Sequence, residues 1–288
     1  MNLKALSLPT DLNPKSKFGG KATKVSDEYH IMNKIGFGTY SQVKKGINKK
    51  TEQRVAIKIW KGATSCSLLQ NEADILKLVN SEYLPKFYDF KKDEITGKSY
   101  LVMEYIEGKT LDEYIEEHGT MTEEEAGKFL LMLIKAIHSL HSKGIAHRDI
   151  KPQNILITDE KKLKLIDFNI SKKMKERGSL DEDQKEKFKW VFFTQISSPV
   201  FAAPEVSSLN CYTESVDIWG IGIAYAEMLF KISSILEDYK SENIWTALGK
   251  VEVANKLSDD NMAWLKTMLS LDPDQRPTIY SLLNQFSE

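Results

Sequence analysis

Cysteine is scarce in this sequence, and neither sign of charge dominates. The 288 residues include 2 cysteines, Cys66 and Cys211, which stand far apart and outside any CxxC or Cys/His spacing. This pattern excludes a disulfide framework and a zinc site of ordinary spacing. The 40 Lys and Arg residues nearly balance the 41 Asp and Glu residues, which argues against binding of nucleic acid through bulk charge. We therefore expect reduced cysteines and no nucleic-acid partner.

Long apolar runs are also lacking. No stretch approaches the roughly 18 consecutive apolar residues of a membrane-spanning helix, and the opening MNLKALSLPTD has too short an apolar stretch for a signal peptide. The sequence has no Met-Gly start of the kind that marks myristoylation. We expect no membrane partner, a cytoplasmic location with the nucleus as the alternative, and a monomeric chain.

Glycine and proline are few, with 15 and 8 residues, and 41% of the residues are hydrophobic. This composition is typical of an ordinary globular protein, and the length fits one large domain or two small ones. Residues 1–24 differ from the rest, because Pro9, Pro14 and the Gly19-Gly20 pair occur there with little hydrophobic periodicity. These residues predict a flexible leader.

The hydrophobic pattern changes character along the chain. Three antiparallel strands are predicted in EYHIMNKIG, TYSQVKKGIN and EQRVAIKIW. A helix is predicted over residues 67–79, followed by strands in PKFYDF and KSYLVMEYI. From Thr110 onward helices dominate, in LDEYIEEH and in an amphipathic run over residues 122–142. A mostly β segment before a mostly α segment predicts an α+β fold of two lobes that meet near MEYIEGK.

A glycine pattern, IGFGTYSQV over residues 35–43, lies between the first two predicted strands. Glycines there allow a tight turn whose backbone N–H groups can approach phosphates closely. By itself the pattern favours a plain hairpin, and Ser41 stands at the third glycine position.

Two opposite charges follow this pattern. Lys58 ends the apolar strand triplet VAI, and Glu72 shares a helical face with apolar residues. A lysine directed into a cleft needs an opposite charge to hold it, which Glu72 would supply. Taken singly, Lys58 has a solvated edge charge as its alternative interpretation, and Glu72 is better explained as an exposed acid at the edge of its face.

The most informative segments are HRDIKPQNILI over residues 147–157 and IDFN over residues 166–169. They bring Asp149, Asp167, Asn154 and Lys151 to the ends of short apolar strands. Phosphoryl transfer with magnesium requires such a set: an acid to receive a hydroxyl proton, oxygen ligands for a hard cation, and a lysine to offset phosphate charge. Chance loop polarity explains any one of these residues but not the set.

With these motifs in this order, the chain resembles a eukaryotic protein kinase over roughly residues 25–285. The Gly-rich loop, VAIK, HRDxKPxN, DFx, APE and a late arginine stand in the family's order. The resemblance implies a bilobal α+β kinase fold, with a small β-rich lobe over residues 25–106 ending in a hinge and a larger helical lobe over residues 107–288. Lys151, two residues after Asp149, resembles the serine/threonine class.

The resemblance further implies ATP and Mg²⁺ as cofactors and a protein Ser or Thr hydroxyl as the acceptor. It assigns the VAIK lysine to the α- and β-phosphates, paired with the helix glutamate. It assigns the HRD aspartate to the catalytic base, the next lysine to the γ-phosphate, and an asparagine and the DFN aspartate to magnesium. In that order the residues are Lys58, Glu72, Asp149, Lys151, Asn154 and Asp167.

A nucleotide pocket is implied in the same way. Val43, Ala56 and Leu156 would sandwich adenine, while the Glu104 carbonyl and the Ile106 amide would pair with its edge; without the resemblance the three apolar residues are ordinary core. The implied nucleotide-binding residues are Ile35, Gly36, Gly38, Ser41, Val43, Ala56, Lys58, Met103, Glu104, Ile106 and Leu156.

The resemblance also implies a regulatory site. Kinases with an arginine directly before the catalytic aspartate, here Arg148, usually hold the activation segment through a phosphate. Thr194, four residues before Ser198, is therefore the expected regulatory phosphorylation site. The alternative is that Thr194 is a loop residue without this role.

Several further residues are expected to be structural. Glu205 of APE would form a buried ion pair with Arg276, and Asp217 would anchor the backbone of the catalytic loop. A hydrophobic spine would join the two lobes. Its expected members are Leu76, Phe87, His147 and Phe168.

The chain departs from the family pattern at a few positions. Asn169 replaces the glycine of DFG; because asparagine is the non-glycine residue best suited to left-handed geometry, we expect Asn169 to adopt it and Asp167 still to reach magnesium. The interval between Lys58 and Glu72 is short, which predicts a trimmed front of the regulatory helix. Gln153 stands where kinases of basic substrates often have glutamate, so substrate preference stays open.

Two alternative functions follow from these observations. A pseudokinase, or nucleotide-gated scaffold, would rest on Asn169 alone, since the catalytic residues are present. A small-molecule kinase of related fold is disfavoured by the APE motif and by Arg276, which belong to kinases of peptide substrates.

Overall fold

The structure is a computed structural model that describes most of the chain. The described residues are 25–37, 41–61, 63–93, 96–173, 201–207, 213–233 and 257–287. The predicted leader, Gly38 and Thr194 lie outside them.

Five antiparallel strands form the sheet of the small lobe, in the spatial order β1-β2-β3-β5-β4. They follow the short helix α1 (Val25–Glu28), and their bounds are β1 (Tyr29–Phe37), β2 (Ser41–Asn48), β3 (Arg54–Lys61), β4 (Phe87–Asp93) and β5 (Lys98–Glu104). Side chains alternate between the two faces of β3. Ile57 and Ile59 pack into a small core with Val102, so Lys58 and Trp60 face the opposite side of the sheet.

Helix α2 (Ala63–Leu78) covers that opposite face. It buries Leu69, Ala73 and Leu76 in the main core, beside Trp60. The helix begins four residues earlier than predicted. The prediction began at residue 67, where the apolar spacing begins, and residues 63–66 do not belong to that spacing. A one-residue connection from β3 accommodates the short interval between Lys58 and Glu72.

The predicted helices of the larger lobe are confirmed as α3 (Leu111–His118) and α4 (Glu123–His141). A threonine directly before the first residue caps each helix. The amide of Thr110 donates to the Glu113 carboxylate, and the Thr122 hydroxyl accepts from the Glu125 amide; such caps satisfy N–H groups that have no partner within the helix. One face of α4 lies in the main core.

The larger lobe also contains two small sheets of short strands. Strands β6 (Gly108–Thr110), β8 (Ile155–Thr158) and β9 (Leu163–Leu165) form one small sheet, and β7 (Ile145–Ala146) pairs with β10 (Lys172–Lys173). A single 3₁₀ turn (Pro152–Asn154) precedes β8. Residues 147–154 and 166–171 therefore connect strands whose positions are fixed by pairing.

The core of the larger lobe is built around an apolar helix, α6 (Ser215–Phe230), which is buried along almost its whole length. The remaining elements are α5 (Pro204–Ser207), α7 (Asp259–Met268), a 3₁₀ turn (Pro273–Gln275) and α8 (Ile279–Phe286). A helix that is apolar on every face must be enclosed by protein or lipid. Among the described residues, no helix has both the length and the apolar character needed to span a bilayer.

An ion pair closes the base of this lobe. Arg276 forms two bonds with Glu205, at 2.6 and 2.8 Å, and also donates to the backbone carbonyls of Ser215 and Ser270. The Arg276 side chain is fully buried. A sheet-based lobe and a helical lobe together make the fold α+β and bilobal, as the sequence predicts.

Candidate functional site

Three charged side chains meet between the lobes. Lys58 Nζ on β3 lies 2.8 Å from Glu72 Oε2 on α2 and 2.9 Å from Asp167 Oδ1, which follows β9. Lys58 and Glu72 are both buried, whereas the Asp167 side chain retains 31% of its exposure. We call this set the lysine cluster. It brings together the lysine, helix acid and second strand-end acid that the sequence singled out.

In the lysine cluster, burial and the attraction between opposite charges shift the pKa values in opposite directions. Burial alone would lower the pKa of Lys58, but the carboxylates of Glu72 and Asp167 outweigh it and hold that pKa above its ordinary value. Burial raises the pKa of Glu72, which Lys58 only partly offsets. For Asp167, burial is outweighed by Lys58, and the pKa is lowered. The ammonium is therefore held charged beside an ionised, partly exposed Asp167.

A second group, the base cluster, is formed by Asp149, Lys151 and Asn154. Lys151 Nζ lies 2.9 and 2.8 Å from the two carboxylate oxygens of Asp149. Asn154 Nδ2 donates to Asp149 Oδ2 and to the Asp149 carbonyl, both at 2.8 Å. The Asp149 carboxylate is thus fixed in orientation while 20% of the side chain stays exposed.

The backbone ties the two clusters together. The amide of Ile166 donates to the carbonyl of Asn154 at 2.8 Å, and Ile155 pairs with Leu165 across β8 and β9. Asp167 therefore follows directly on the strand that lies against Asn154. Its φ of 67° lies in the left-handed region, a conformation that persists only where surrounding contacts impose it.

Asp217 on α6 anchors the loop of residues 147–154, as expected from the sequence. Its carboxylate accepts from the amides of His147 and Arg148 at 2.8 and 2.7 Å and contacts His141 Nε2 at 2.8 Å. Burial would raise the pKa of Asp217, but the bond to His141 and the other donors lower it. Arg148 has a φ of 70°. The two bonds to Asp217 hold the loop through this turn, directly before Asp149.

His147 is a packed residue in this arrangement. Its ring meets Phe168 edge to face at 5.0 Å between centroids, and burial lowers its pKa. A neutral, fully buried ring suits packing and not proton transfer. Leu76 and Phe168 lie in the same core, with Phe87 packed against it.

The residues expected to bind adenine lie on both sides of the cleft. Val43 faces Lys58 across β2 and β3, and Ala56 faces Met103 across β3 and β5. Leu156 is half-buried on β8 in the other lobe. The other expected nucleotide-binding residues that the structure describes are Ile35 and Gly36 on β1, Ser41 on β2, Glu104 at the end of β5, and Ile106 just after it.

The expectation for Asn169 is wrong in its backbone geometry. Among the described residues Asn169 is not in the left-handed region; Asp167 is. The Asn169 amide donates to Asp167 Oδ1 at 3.3 Å, so Asp167 itself takes the strained conformation and Asn169 closes the turn behind it. The Asn169 side-chain oxygen is buried without a hydrogen-bond partner.

Two contacts at the site were missed. Lys164 Nζ on β9 binds both carboxylate oxygens of Glu104, at 3.0 and 2.9 Å. Asn71 Nδ2, next to Glu72 on α2, donates to the Ser171 carbonyl at 2.8 Å. The one sequence signal for the Lys164 contact was the position of this lysine within the short apolar run LKLI. No sequence pattern indicated the contact of Asn71.

Asp167 and Asn154 have the donor atoms that Mg²⁺ prefers, since carboxylate and amide oxygens are hard ligands. Asn154 uses its amide nitrogen toward Asp149, which leaves its amide oxygen directed elsewhere. No group of three or more His, Cys, Asp or Glu side chains within the described ranges could hold an ion. By their chemistry, the Asp167 carboxylate and the Asn154 amide oxygen fit a Mg²⁺ ion.

Comparison with known proteins agrees with this geometry. Residues 29–286 match the family described as protein kinase domain. Maternal embryonic leucine zipper kinase of Xenopus laevis is 34% identical over 265 residues, which cover 89% of this chain and 38% of that protein. The human hormonally up-regulated neu tumor-associated kinase is 29% identical over 260 residues, which cover 87% of this chain and 35% of that protein. The chain spans little more than a third of the length of these relatives.

Replacing Lys58 by methionine (Lys58→Met) should make stability depend on pH. The raised pKa of Lys58 means that its stabilisation is fully present below the ordinary lysine pKa, so it does not change between pH 5 and 8. Without the ammonium, Glu72 and Asp167 repel each other and their pKa values rise, so the variant loses stability as the pH rises. We expect a loss of about 3 kcal/mol at pH 8 that is smaller at pH 5, measured by urea unfolding.

Lys128→Met is the matched control. Lys128 pairs with Glu124 on the surface of α4, where both side chains are exposed, and its loss should leave stability nearly unchanged at both pH values. An equal loss for Lys58→Met at pH 5 and pH 8 would contradict the charge balance described for the lysine cluster.

Proposed function

The chain belongs to the protein kinase family, and on this premise we propose that it is a serine/threonine protein kinase. It transfers the γ-phosphoryl group of ATP, with Mg²⁺, to a Ser or Thr hydroxyl of a protein. The observation that carries this proposal is the Asp149 carboxylate, which Lys151 and Asn154 hold in orientation. Asp167, which forms an ion pair with Lys58, follows β9, and β9 pairs with the strand that begins after Asn154. An acceptor base and a phosphate-binding charge pair thus face the same cleft.

Asp149 serves as the base in this proposal. Its carboxylate accepts the proton of the acceptor hydroxyl while Lys151, on the same carboxylate, offsets the charge of the incoming phosphoryl group. The two bonds from Asn154 fix the carboxylate before the substrate arrives. Such preorganisation removes a reorientation step at the moment of transfer.

Lys58 and Asp167 serve the nucleotide. Lys58 binds its phosphates and is held by Glu72, while Asp167 and Asn154 would hold magnesium, which neutralises phosphate charge when bound. The adenine would be held between residues of β2, β3 and β8, with the Glu104 carbonyl and the Ile106 amide pairing with its edge. The proposed nucleotide-binding residues remain Ile35, Gly36, Gly38, Ser41, Val43, Ala56, Lys58, Met103, Glu104, Ile106 and Leu156.

A protein acceptor is supported by the ion pair of Glu205 and Arg276, which bond at 2.6 and 2.8 Å. The resemblance assigns these two residues to kinases of peptide substrates. The pair therefore favours a protein over a small molecule as the substrate.

We further propose lobe boundaries at residues 25–106 and 107–288, a cytoplasmic location and a monomeric chain, as the sequence analysis expects. A regulatory phosphate on Thr194 belongs to the same proposal. Its support is Arg148, which precedes Asp149 and whose backbone is fixed by Asp217. A phosphate paired with this arginine would hold the activation segment near the base cluster.

Asp149→Asn and Asp167→Asn should each abolish phosphoryl transfer while the fold is retained. Loss of a positioned acid or charge typically costs on the order of 10² to 10⁴ in rate, and Asp167→Asn should also weaken magnesium-dependent nucleotide binding. The assay uses MgATP with a degenerate Ser/Thr peptide library, and thermal unfolding checks the fold. Asp159→Asn, an exposed acid after β8, is the control; near wild-type turnover in Asp149→Asn would remove the base assignment.

Asn169→Gly should separate kinase from scaffold. The asparagine side chain restricts the backbone states open to residues 167–169, so inhibitors that require a flipped Asp-Phe pair should bind the glycine variant about two- to fivefold more tightly. Turnover should stay within about twofold of wild type, because Asn169 touches no transferred group. An inert wild type with an active Asn169→Gly would favour the scaffold function, and equal inhibitor binding would refute the restriction.

Autophosphorylated wild-type protein should carry phosphate on Thr194. Mass spectrometry of protein incubated with MgATP tests this directly, with Asp149→Asn protein as the inactive control. Thr194→Ala should lower kcat by about tenfold or more, as expected for loss of charge-assisted bonds that order a segment. Fully active enzyme with an unmodified Thr194 would contradict the assignment.

A further inference from the structure

Asn71 connects the helix that carries Glu72 to the backbone that follows Asp167. Its amide nitrogen donates to the Ser171 carbonyl at 2.8 Å, across 100 residues of sequence. Ser171 is itself buried, at 2% exposure. Its hydroxyl donates to the His147 carbonyl at 3.0 Å and its amide to the Phe168 carbonyl at 3.1 Å. Helix α2, the catalytic loop and the start of the activation segment therefore meet at Ser171.

Glu72 makes a second contact with the same short segment. Its carboxylate accepts from the Phe168 amide at 3.3 Å as well as from Lys58. Consecutive residues on an α-helix project about 100° apart. Glu72 and Asn71 thus contact the segment in two directions, at its two ends, Phe168 and Ser171. Together with the packing of Leu69, Ala73 and Leu76 in the main core, these two contacts oppose rotation of α2.

The lysine cluster needs such a constraint. Glu72 is fully buried, and burial raises the pKa of its carboxyl, so the buried position is unfavourable for the charge unless Lys58 is close. A small rotation of α2 would separate the two and leave buried charges unpaired, which is costly. The bond from Asn71 opposes that rotation without adding another charge.

We propose that Asn71 is a positioning residue that couples the placement of Glu72 to the backbone arrangement of residues 168–171. Through this bond, the backbone of residues 168–171 helps to hold Glu72 beside Lys58. The kinetic part of this inference rests on the proposed kinase function. The coupling itself does not, because it can be measured in the absence of any reaction.

Hydrogen exchange at the Phe168 amide is the direct measure, because Glu72 accepts this N–H only when α2 is in place. Loss of one hydrogen bond should raise its exchange rate about fivefold through more frequent opening. Asn71→Ala removes the donor and Asn71→Asp replaces it with an acceptor, so both should show the increase. Gln70→Ala is the matched control, since Gln70 bonds to Asp74 on the exposed face of α2.

Steady-state kinetics supply the second measure. Both Asn71 variants should lower kcat by up to about fivefold with little change in the peptide KM, and their melting temperatures should match that of Gln70→Ala. In a Glu72→Ala background the Asn71 variants should cause no further loss of kcat, because a residue acting through Glu72 has nothing left to position.

Three results would overturn the inference: unchanged exchange at Phe168 in both Asn71 variants, the same changes in Gln70→Ala, or fully additive losses in the Glu72→Ala background. Failure of the proposed function is distinguishable from these. If wild-type protein transfers no phosphoryl group, the kinase proposal fails, and the exchange rates still decide whether Asn71 couples α2 to Ser171.

Discussion

The buried ammonium of Lys58 is the constraint on which the site depends. Withdrawing a charge from water is costly unless an opposite charge accompanies it, and Lys58 lies within 2.9 Å of Glu72 and Asp167. These partners come from α2 and from the end of β9, so the cost is met only when sheet, helix and β9 are correctly placed together. The exposed edge of this cluster is the Asp167 side chain, which keeps 31% of its exposure.

Asp217, on helix α6 of the larger lobe, provides a second constraint. Helix α6 is apolar almost throughout, yet it carries Asp217, whose carboxylate binds the His147 and Arg148 amides. The loop can take its left-handed turn at Arg148 because the most deeply buried helix of the lobe imposes it. The lysine cluster and the Asp217 anchor thus fix Asp167 and Asp149 from opposite sides, and the bond between Ile166 and Asn154 joins them.

Sequence reasoning succeeded where the signal is local. Alternation identified β3 with Lys58, helical spacing identified α2 with Glu72, and the runs LDEYIEEH and 122–142 located α3 and α4. It failed where a backbone angle or a side-chain bond is set by distant residues. The φ angle of Asn169 could not be predicted because Asp167, and not Asn169, adopts the left-handed conformation. Asn71 bonds to a carbonyl 100 residues away, and such a contact produces no periodic pattern in the sequence.

Exposure separates the charges that support the fold from those that suit chemistry. Arg276 and Asp217 have side chains with no exposure, and they bind backbone and opposite charge on every side. Asp149 and Asp167 keep 20% and 31% of theirs and lie at the cleft. The charges of Arg276 and Asp217 are therefore closed to solvent, whereas those of Asp149 and Asp167 stay accessible from the cleft.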